Sequence, residues 1–215
     1  MRQQVRTAPA ALPAVLRAPL AMMAALATAV LVALGILHFH DSGLTGLDAA
    51  VLPSIDGVRP PWRYVALVFD FGGEPLGSTI LVAVIAAVCF LVHRIRAAVV
   101  TVLGVVVTVA VTTVLKPIVG RTIHGEFLSY PSGHTAMATA LALVIALVLA
   151  DRLGLGRAAA VVVVLGLALV AGVAMGWAEV ALGAHYPTDA VGGFCAALAV
   201  VPATAWLVDR VAARL

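Results

Sequence analysis

Six apolar stretches, each close to the length that crosses a bilayer, constrain the fold of this chain more than any other feature. They cover approximately residues 19–37, 75–92, 97–115, 131–150, 158–176 and 188–208. A helix needs about 20 residues to span the hydrocarbon core of a membrane. The chain is 63% hydrophobic and only 11% charged, which excludes an ordinary soluble domain. The sequence therefore predicts an all-α fold, a polytopic bundle of six transmembrane helices.

The chain is predicted to form one transmembrane domain, residues 19–210, after a cytoplasmic N-terminal segment, residues 1–18. The first apolar stretch follows several arginines and so resembles a signal peptide. Its apolar run is long, however, and residues 38–41 (HFHD) lack the small residues of a cleavage site. We therefore expect a retained helix. Cys89 and Cys195 fall inside apolar runs, which predicts buried thiols, with neither a disulfide nor a zinc site.

The distribution of basic residues predicts the orientation in the membrane. Nine lie at the termini and in the turns at 93–96 and 151–157, namely Arg2, Arg6, Arg17, Arg94, Arg96, Arg152, Arg157, Arg210 and Arg214. Four lie on the opposite side, namely Arg59, Arg63, Lys116 and Arg121. Basic residues favour the cytoplasmic side. We therefore expect both termini inside, with the 38–74, 116–130 and 177–187 loops outside. The net charge of +3 then reflects topology and does not indicate nucleic-acid binding.

Two polar segments interrupt the apolar pattern at predicted outer helix ends. One is residues 130–135 (YPSGHT), and the other is residues 183–189 (GAHYPTD). A helix N-terminus offers unpaired N–H groups and the positive end of a dipole, which together favour an anion. Ser132 can cap the helix, Gly133 allows close approach of the backbone, and His134 can transfer a proton. This combination suggests phosphoryl chemistry.

Three motifs in order resemble those of a known family. Lys116 to Arg121 (KPIVGR), residues 131–134 (PSGH) and His185 to Asp189 (HYPTD) each lie at an outer helix end. Their order and spacing resemble the type 2 phosphatidic acid phosphatase superfamily, whose members are metal-independent membrane phosphatases built on six helices. The resemblance covers residues 75–208 or so and implies that the chain hydrolyses a phosphate ester.

The resemblance also implies roles for particular residues. His185 would be the nucleophile that forms a phosphohistidine, with Asp189 fixing the tautomer of its imidazole. His134 would protonate the leaving group and then activate water. The phosphoryl group would be bound by Lys116, Arg121, Ser132 and Gly133. No metal and no other cofactor is implied.

The chain departs from the family pattern at two places. Counting from Lys116, the family's arginine and proline positions hold Ile123 and His124, and Arg121 lies two residues early. In the third motif, the family's Ser-Arg pair aligns with Ala178 and Glu179. Two arginines that would bind phosphate are thus missing, which affects the expected affinity and substrate more than the mechanism.

Several other polar residues have competing interpretations. Glu179 is either solvated or paired with Arg121 or Lys116. His124 is interpreted as a solvated loop residue, with entry into the site as the alternative. Arg59 and Arg63, beside Trp62 and Tyr64, are expected to anchor the chain at the membrane–water interface. His38 and His40 are also expected to lie at this interface. A minority interpretation places Arg59 or Arg63 over the site.

We therefore expect an integral membrane phosphatase that acts on a lipid phosphate or diphosphate, with its site at the outer membrane surface. Phosphatidic acid, phosphatidylglycerol phosphate and polyprenyl phosphates all remain open as substrates. Two alternatives come from other classes. One is a degenerate family member that binds phospholipid or a partner without turnover, and the other is a small transporter.

Overall fold

The computed structural model describes residues 9–55 and 57–214, so residues 1–8 of the predicted N-terminal segment lie outside the described residues. The described chain is almost entirely helical, with one short antiparallel hairpin of β1 (Thr122–Ile123) and β2 (Phe127–Leu128). Its helices are α1 (Arg17–Leu37), α2 (Gly46–Val51), α3 (Trp62–Gly73), α4 (Pro75–Leu91), α5 (Ile95–Val119), α6 (Gly133–Arg152), α7 (Arg157–Ala181) and α8 (Pro187–Ala212).

Each of the six predicted apolar stretches corresponds to one helix, to within two residues at the predicted ends of α4 and α6, and the all-α membrane fold is confirmed. Within residues 9–55 and 57–214, five helices, namely α1, α5, α6, α7 and α8, are long and apolar enough to cross a membrane. A sixth span is formed only if α3 and α4 are counted together, since they meet at an angle of 69°. The chain is therefore a multi-pass membrane protein.

The region 38–74 is not the long loop that the sequence predicts. It contains α2 and all of α3, and α3 packs across α7 and α6. Its Ala66 is completely buried, and Trp62 contacts Trp177 of α7 edge to face at 6.4 Å between ring centroids. The helix was missed because its 12 residues are too few to span a bilayer.

Helix α6 is the central element of the bundle. It packs against α5, α7 and α8, and a larger share of it is buried inside the protein than of α1, α5, α7 or α8. Small residues bring its neighbours close. A side chain at Gly172 of α7 would meet Phe194 of α8 at 2.7 Å, and one at Gly176 would meet Ala190 at 2.9 Å. Glycines at such positions allow helix backbones in membranes to approach each other.

The end of the bundle away from the two polar segments is fastened by charged groups. The carboxylate of Asp209 on α8 accepts hydrogen bonds of 2.9 Å from the backbone N–H groups of Ala11 and Leu12, ahead of α1. Arg94 pairs with Asp151 across the α4–α5 and α6–α7 turns. Cys89 and Cys195 are both buried free thiols.

Candidate active site

The two polar segments meet at one end of the bundle because two helices begin there and two others end there. His134 is the second residue of α6, and His185 lies two residues before α8. Glu179 occupies the last turn of α7, and Lys116 the last turn of α5. The backbone N–H of Ser132 donates a hydrogen bond of 3.0 Å to the carbonyl oxygen of Asp189, which fixes the two helix starts against each other.

The two histidines face one shared carboxylate oxygen. His134 Nδ1 and His185 Nε2 each lie 3.7 Å from Oε2 of Glu179. The Glu179 side chain is only 1% exposed, and its other oxygen, Oε1, has no hydrogen-bond partner among the described residues. The site therefore has a buried carboxylate at its centre, between the two residues predicted to carry the chemistry.

Neither interpretation of Glu179 from the sequence describes this position. The residue is not solvated, and it forms no ion pair within 4 Å with Arg121 or Lys116 in the described part of the chain. The solvated interpretation was wrong because Glu179 is buried, and the pairing interpretation was wrong because it considered only Arg121 and Lys116 as partners. The histidines of the neighbouring helix starts are closer.

His185 lies between Glu179 and Asp189. Its Nδ1 atom is 3.6 Å from Oδ2 of Asp189, somewhat longer than a hydrogen bond. Oδ2 also accepts a hydrogen bond of 2.9 Å from the backbone N–H of Tyr186, so Asp189 caps α8 as well as facing the histidine. The arrangement directs Nδ1 of His185 towards the carboxylate and leaves Nε2 facing the centre of the site.

Arg121 is completely buried and does not face the centre of the site. Its Nη1 donates to Oδ1 of Asp189 at 2.6 Å and to Oγ1 of Thr188 at 2.7 Å. Its Nη2 donates to Oδ2 of Asp48 at 2.7 Å. The guanidinium also lies over the ring of Tyr186, 4.4 Å from the ring centroid. The residue expected to bind phosphate thus has protein partners on both terminal nitrogens.

Asp48, which sequence reasoning missed, completes this buried cluster. It accepts hydrogen bonds from Arg121, from the backbone N–H of Thr188 at 2.9 Å and from the hydroxyl of Thr45 at 2.8 Å. Burial acts to raise the pKa of the Asp48 carboxyl, but the bonds from Arg121 and Thr188 outweigh it and hold the pKa below its usual value. The Thr45–Asp48 spacing signals only a local helix start, so nothing in the sequence connects Asp48 with Arg121.

The start of α6 has the features of an anion site. The hydroxyl oxygen of Ser132 accepts a hydrogen bond of 3.3 Å from the N–H of Thr135, which confirms its capping position. Gly133 and His134 keep N–H groups with no hydrogen-bond partner among the described residues. A side chain on Gly193 of α8 would overlap the carbonyl oxygen of Ser132, so α8 packs directly against this turn.

Two further carboxylates border His134 on the side of α3 and α4. Its Nε2 atom lies 3.8 Å from Oδ1 of Asp70 and 3.9 Å from Oε1 of Glu74. Gly73, between them in sequence, packs so closely on the imidazole that any side chain there would overlap its Cδ2 atom. Neither acid belongs to a recognisable motif, and the sequence analysis assigned them no role.

An apolar groove begins beside His134 and follows the bent pair α3–α4. Its volume is about 440 Å³, and its walls include Phe71 and Gly72 of α3, Leu81 of α4, Met137 of α6 and Met175 of α7. Met137 lies one turn from His134, and Met175 one turn from Glu179. The groove therefore lies beside the charged site, on the apolar flank of the bundle.

The other candidate residues have varied outcomes. Lys116 is half-buried and forms no ion pair within 4 Å in residues 9–55 and 57–214. Arg59, Arg63 and His40 are exposed, and the ring nitrogen Nε2 of exposed His124 lies 2.8 Å from the carbonyl oxygen of Gly183. The solvated position predicted for His124 is confirmed. The interfacial position predicted for His38 stays a prediction, and its side chain is completely buried within the protein.

Comparison with known proteins defines the family. Residues 97–212, more than half of the chain, match the sequence model of the PAP2 superfamily. The chain thus belongs to the PAP2 superfamily, as its motifs suggested. A search of curated proteins gave no significant match.

A solved structure shares the fold. It is the crystal structure of a transmembrane PAP2-type phosphatidylglycerolphosphate phosphatase from Bacillus subtilis. The two chains are 23% identical, with a TM-score of 0.68, and the match covers 89% of this chain and 96% of the other. The arrangement of helices is therefore that of a transmembrane PAP2 phosphatase.

Proposed function

We propose that this protein hydrolyses a lipid phosphate or diphosphate through a phosphohistidine formed on His185. The observation that carries the proposal is the placement of His134 and His185 at two adjoining helix starts, each 3.7 Å from Glu179, with Asp189 behind His185. Two imidazoles at one site can supply the nucleophile and the general acid that transfer of a phosphoryl group to a nitrogen atom uses.

In the first step, Nε2 of His185 attacks phosphorus while the bond from phosphorus to the leaving oxygen breaks. His134, in its protonated form, donates a proton to that oxygen. Asp189 holds the Nδ1 proton of His185, which keeps the lone pair on Nε2. In the second step, His134 takes a proton from water, the water oxygen attacks phosphorus, and the N–P bond breaks to release phosphate.

The phosphoryl oxygens are bound by the start of α6 and by Lys116. The free N–H groups of Gly133 and His134, the Ser132 turn and the helix dipole provide the backbone part of this site. Lys116 is the motif cation that the described contacts leave available. We assign Arg121 a positioning role, since it holds Asp189 and is itself held by Asp48.

The apolar groove supports a lipid as the substrate. A head group at the histidines would place its tail along Phe71, Leu81 and Met137, in contact with the flank of the bundle that faces the membrane. The excess of basic residues on the side of the termini supports an extracytoplasmic site, with both termini in the cytoplasm.

The test is phosphate release from a panel of lipid phosphates and diphosphates by purified protein in the presence of a chelator. Radiolabelled substrate should give a phosphoenzyme that is labile in acid and stable in alkali, as phosphohistidine is. His185→Ala should abolish both turnover and labelling. Turnover that survives His185→Ala would contradict the assignment of the nucleophile.

The acidic surroundings of His134 favour one competing function. Asp70, Glu74 and Glu179 place three carboxylates around a site that would have to bind an anion. A family member that binds lipid without turnover would show saturable binding of a lipid phosphate but neither phosphate release nor phosphoenzyme in the same assay.

A further inference from the structure

We propose that His134, His185 and Glu179 form a site for a divalent transition metal ion of the zinc type, and that the bound ion blocks the phosphatase reaction. The binding part of this proposal stands on geometry alone. The blocking part rests on the proposed function, in which Nε2 of His185 is the nucleophile.

The three ligand atoms already lie near the separations of a tetrahedral site. His134 Nδ1 and His185 Nε2 are each 3.7 Å from Oε2 of Glu179, and the ligand atoms of all three residues lie within 4.8 Å of one another. Zinc binds nitrogen and oxygen at about 2.0–2.2 Å, which places tetrahedral ligand atoms roughly 3.4 Å apart. Small side-chain movements would bring the three groups to this spacing. Two imidazoles and one carboxylate are a typical ligand set for zinc with an open fourth position.

The environment of Glu179 also favours the binding of a cation. Its side chain is 1% exposed, and Oε1 has no hydrogen-bond partner among the described residues. Burying a carboxylate without a partner is costly. A divalent ion would compensate that acid.

Both histidines also have the outer partners that metal-bound histidines use. Such a histidine normally directs its second ring nitrogen at a carboxylate, which fixes the tautomer and the ring orientation. The second nitrogen of His185, Nδ1, is 3.6 Å from Asp189. The second nitrogen of His134, Nε2, is 3.8 Å from Asp70. In each case a carboxylate lies behind a histidine whose other ring nitrogen faces the proposed metal position: Asp189 behind His185, and Asp70 behind His134.

Occupation by a metal is incompatible with nucleophilic attack by His185. A coordinated Nε2 donates its lone pair to the ion, and the same lone pair would have to form the bond to phosphorus. The metal would also hold His134 away from the leaving oxygen. We therefore expect zinc to be a reversible inhibitor that a chelator removes.

The experiment measures zinc binding to purified full-length protein after removal of any histidine tag, by competition with a chromophoric chelator and without substrate. Wild-type protein should bind one zinc ion per chain, and cobalt(II) at the same site should show the intense visible absorption of a tetrahedral complex. Glu179→Gln and His134→Ala should each raise the dissociation constant for zinc at least about tenfold. Even the loss of a residue that only contacts a ligand typically lowers metal affinity by 10–100-fold. Glu126→Gln, in the exposed turn of the hairpin, is the matched control and should bind like wild type.

Inhibition is measured in parallel on the same preparations. Zinc should reduce the activity of wild type and of Glu126→Gln, and any activity that Glu179→Gln retains should be less sensitive to zinc. Stoichiometric binding unaffected by Glu179→Gln and His134→Ala would overturn the site, as would the absence of stoichiometric binding. Activation by zinc would overturn the blocking role. A protein that binds zinc at this site but shows no turnover with any lipid phosphate would support the metal site and refute the proposed function.

Discussion

Arg121 donates a hydrogen bond of 2.6 Å to Asp189, and both side chains are completely buried. The sequence suggested that Arg121 binds the phosphate of the substrate. In the structure its guanidinium instead pairs with Asp189, the carboxylate that faces His185. Asp48 holds the other side of the same guanidinium at 2.7 Å. The contacts run from Asp48 through Arg121 and Asp189 to the proposed nucleophile, so we propose that Asp48 is a positioning residue.

The first prediction concerns this chain of contacts. Arg121→Ala should reduce kcat/KM at least about tenfold, equivalent to ~1.4 kcal/mol of transition-state stabilisation. The decrease should fall mainly on kcat, because Asp189 loses its orientation while the phosphate keeps its ligands. Asp48→Asn should change kcat in the same direction by a smaller factor. Steady-state kinetics on a soluble lipid phosphate analogue measure both effects.

Asp151→Asn is the control for these variants, since its ion pair with Arg94 lies at the opposite end of the bundle. Thermal unfolding should accompany the kinetics, because removing one partner of a buried ion pair typically costs about 3–5 kcal/mol of stability. An increase in KM with unchanged kcat in Arg121→Ala, and no effect of Asp48→Asn, would show that Arg121 binds the phosphate directly.

The second prediction concerns the contact between α3 and His134. Gly73→Ala places a methyl group where the imidazole of His134 now lies, so the histidine has to move. A displacement of this kind near the reacting atoms should lower kcat by at least about tenfold. Gly166→Ala, in α7, is the control, because a methyl group there would meet nothing within 4 Å. Equal activity in the two variants would argue against a catalytic role for His134 in this position.

The third prediction concerns the pH dependence of stability. Burial, reinforced by the positive charge of Arg121, lowers the pKa of His38, whose two ring nitrogens have no hydrogen-bond partner among the described residues. As pH falls through the unfolded pKa of about 6.5, the unfolded chain takes up a proton at His38 before the folded chain does. The unfolded state is thereby favoured, and stability decreases until the lower folded pKa is reached.

We therefore expect the melting temperature in detergent to decrease between about pH 7.5 and pH 5, and to decrease less in His38→Gln. His40→Gln, which removes an exposed imidazole nearby, serves as the control and should follow wild type. Identical pH profiles for wild type and His38→Gln would show that the buried imidazole is not the titrating group.

The fourth prediction concerns sidedness. Glu126→Cys, in the hairpin beside the site, should react with an impermeant thiol reagent in intact cells, whereas Leu153→Cys, in the α6–α7 turn, should react only after lysis. Both positions are exposed, and the native Cys89 and Cys195 are buried, so background labelling should be low. The reverse labelling pattern would place the site in the cytoplasm.

The sequence was sufficient to predict the spans and the motifs because both are encoded locally. Apolar length predicts membrane helices directly, and the start of α6 follows from the capping serine, Ser132, and the apolar run after it. The His185–Asp189 pairing follows from a spacing of four residues at a helix start.

The rest of the site depends on contacts distant in the chain, which a single sequence does not reveal. Asp48 reaches Arg121 across 73 positions, from a short helix within what appeared to be a loop. Asp70 and Glu74 approach His134 only because α3 and α4 bend by 69° over the start of α6. Glu179 was recognised as unusual from its alignment, but its burial between two histidines depends on the packing of α7 against α6 and α8.

The backbone hydrogen bond between Ser132 and Asp189 makes the spacing of the two histidines independent of much of the apolar groove. It sets the spacing of the two histidines through main-chain atoms of α6 and α8, whereas much of the apolar groove belongs to α3 and α4. For the proposed lipid phosphatase, exchanges at side chains that line the groove but do not contact the histidines, such as Phe71 and Leu81, would then alter tail selectivity while the spacing of His134 and His185 is retained.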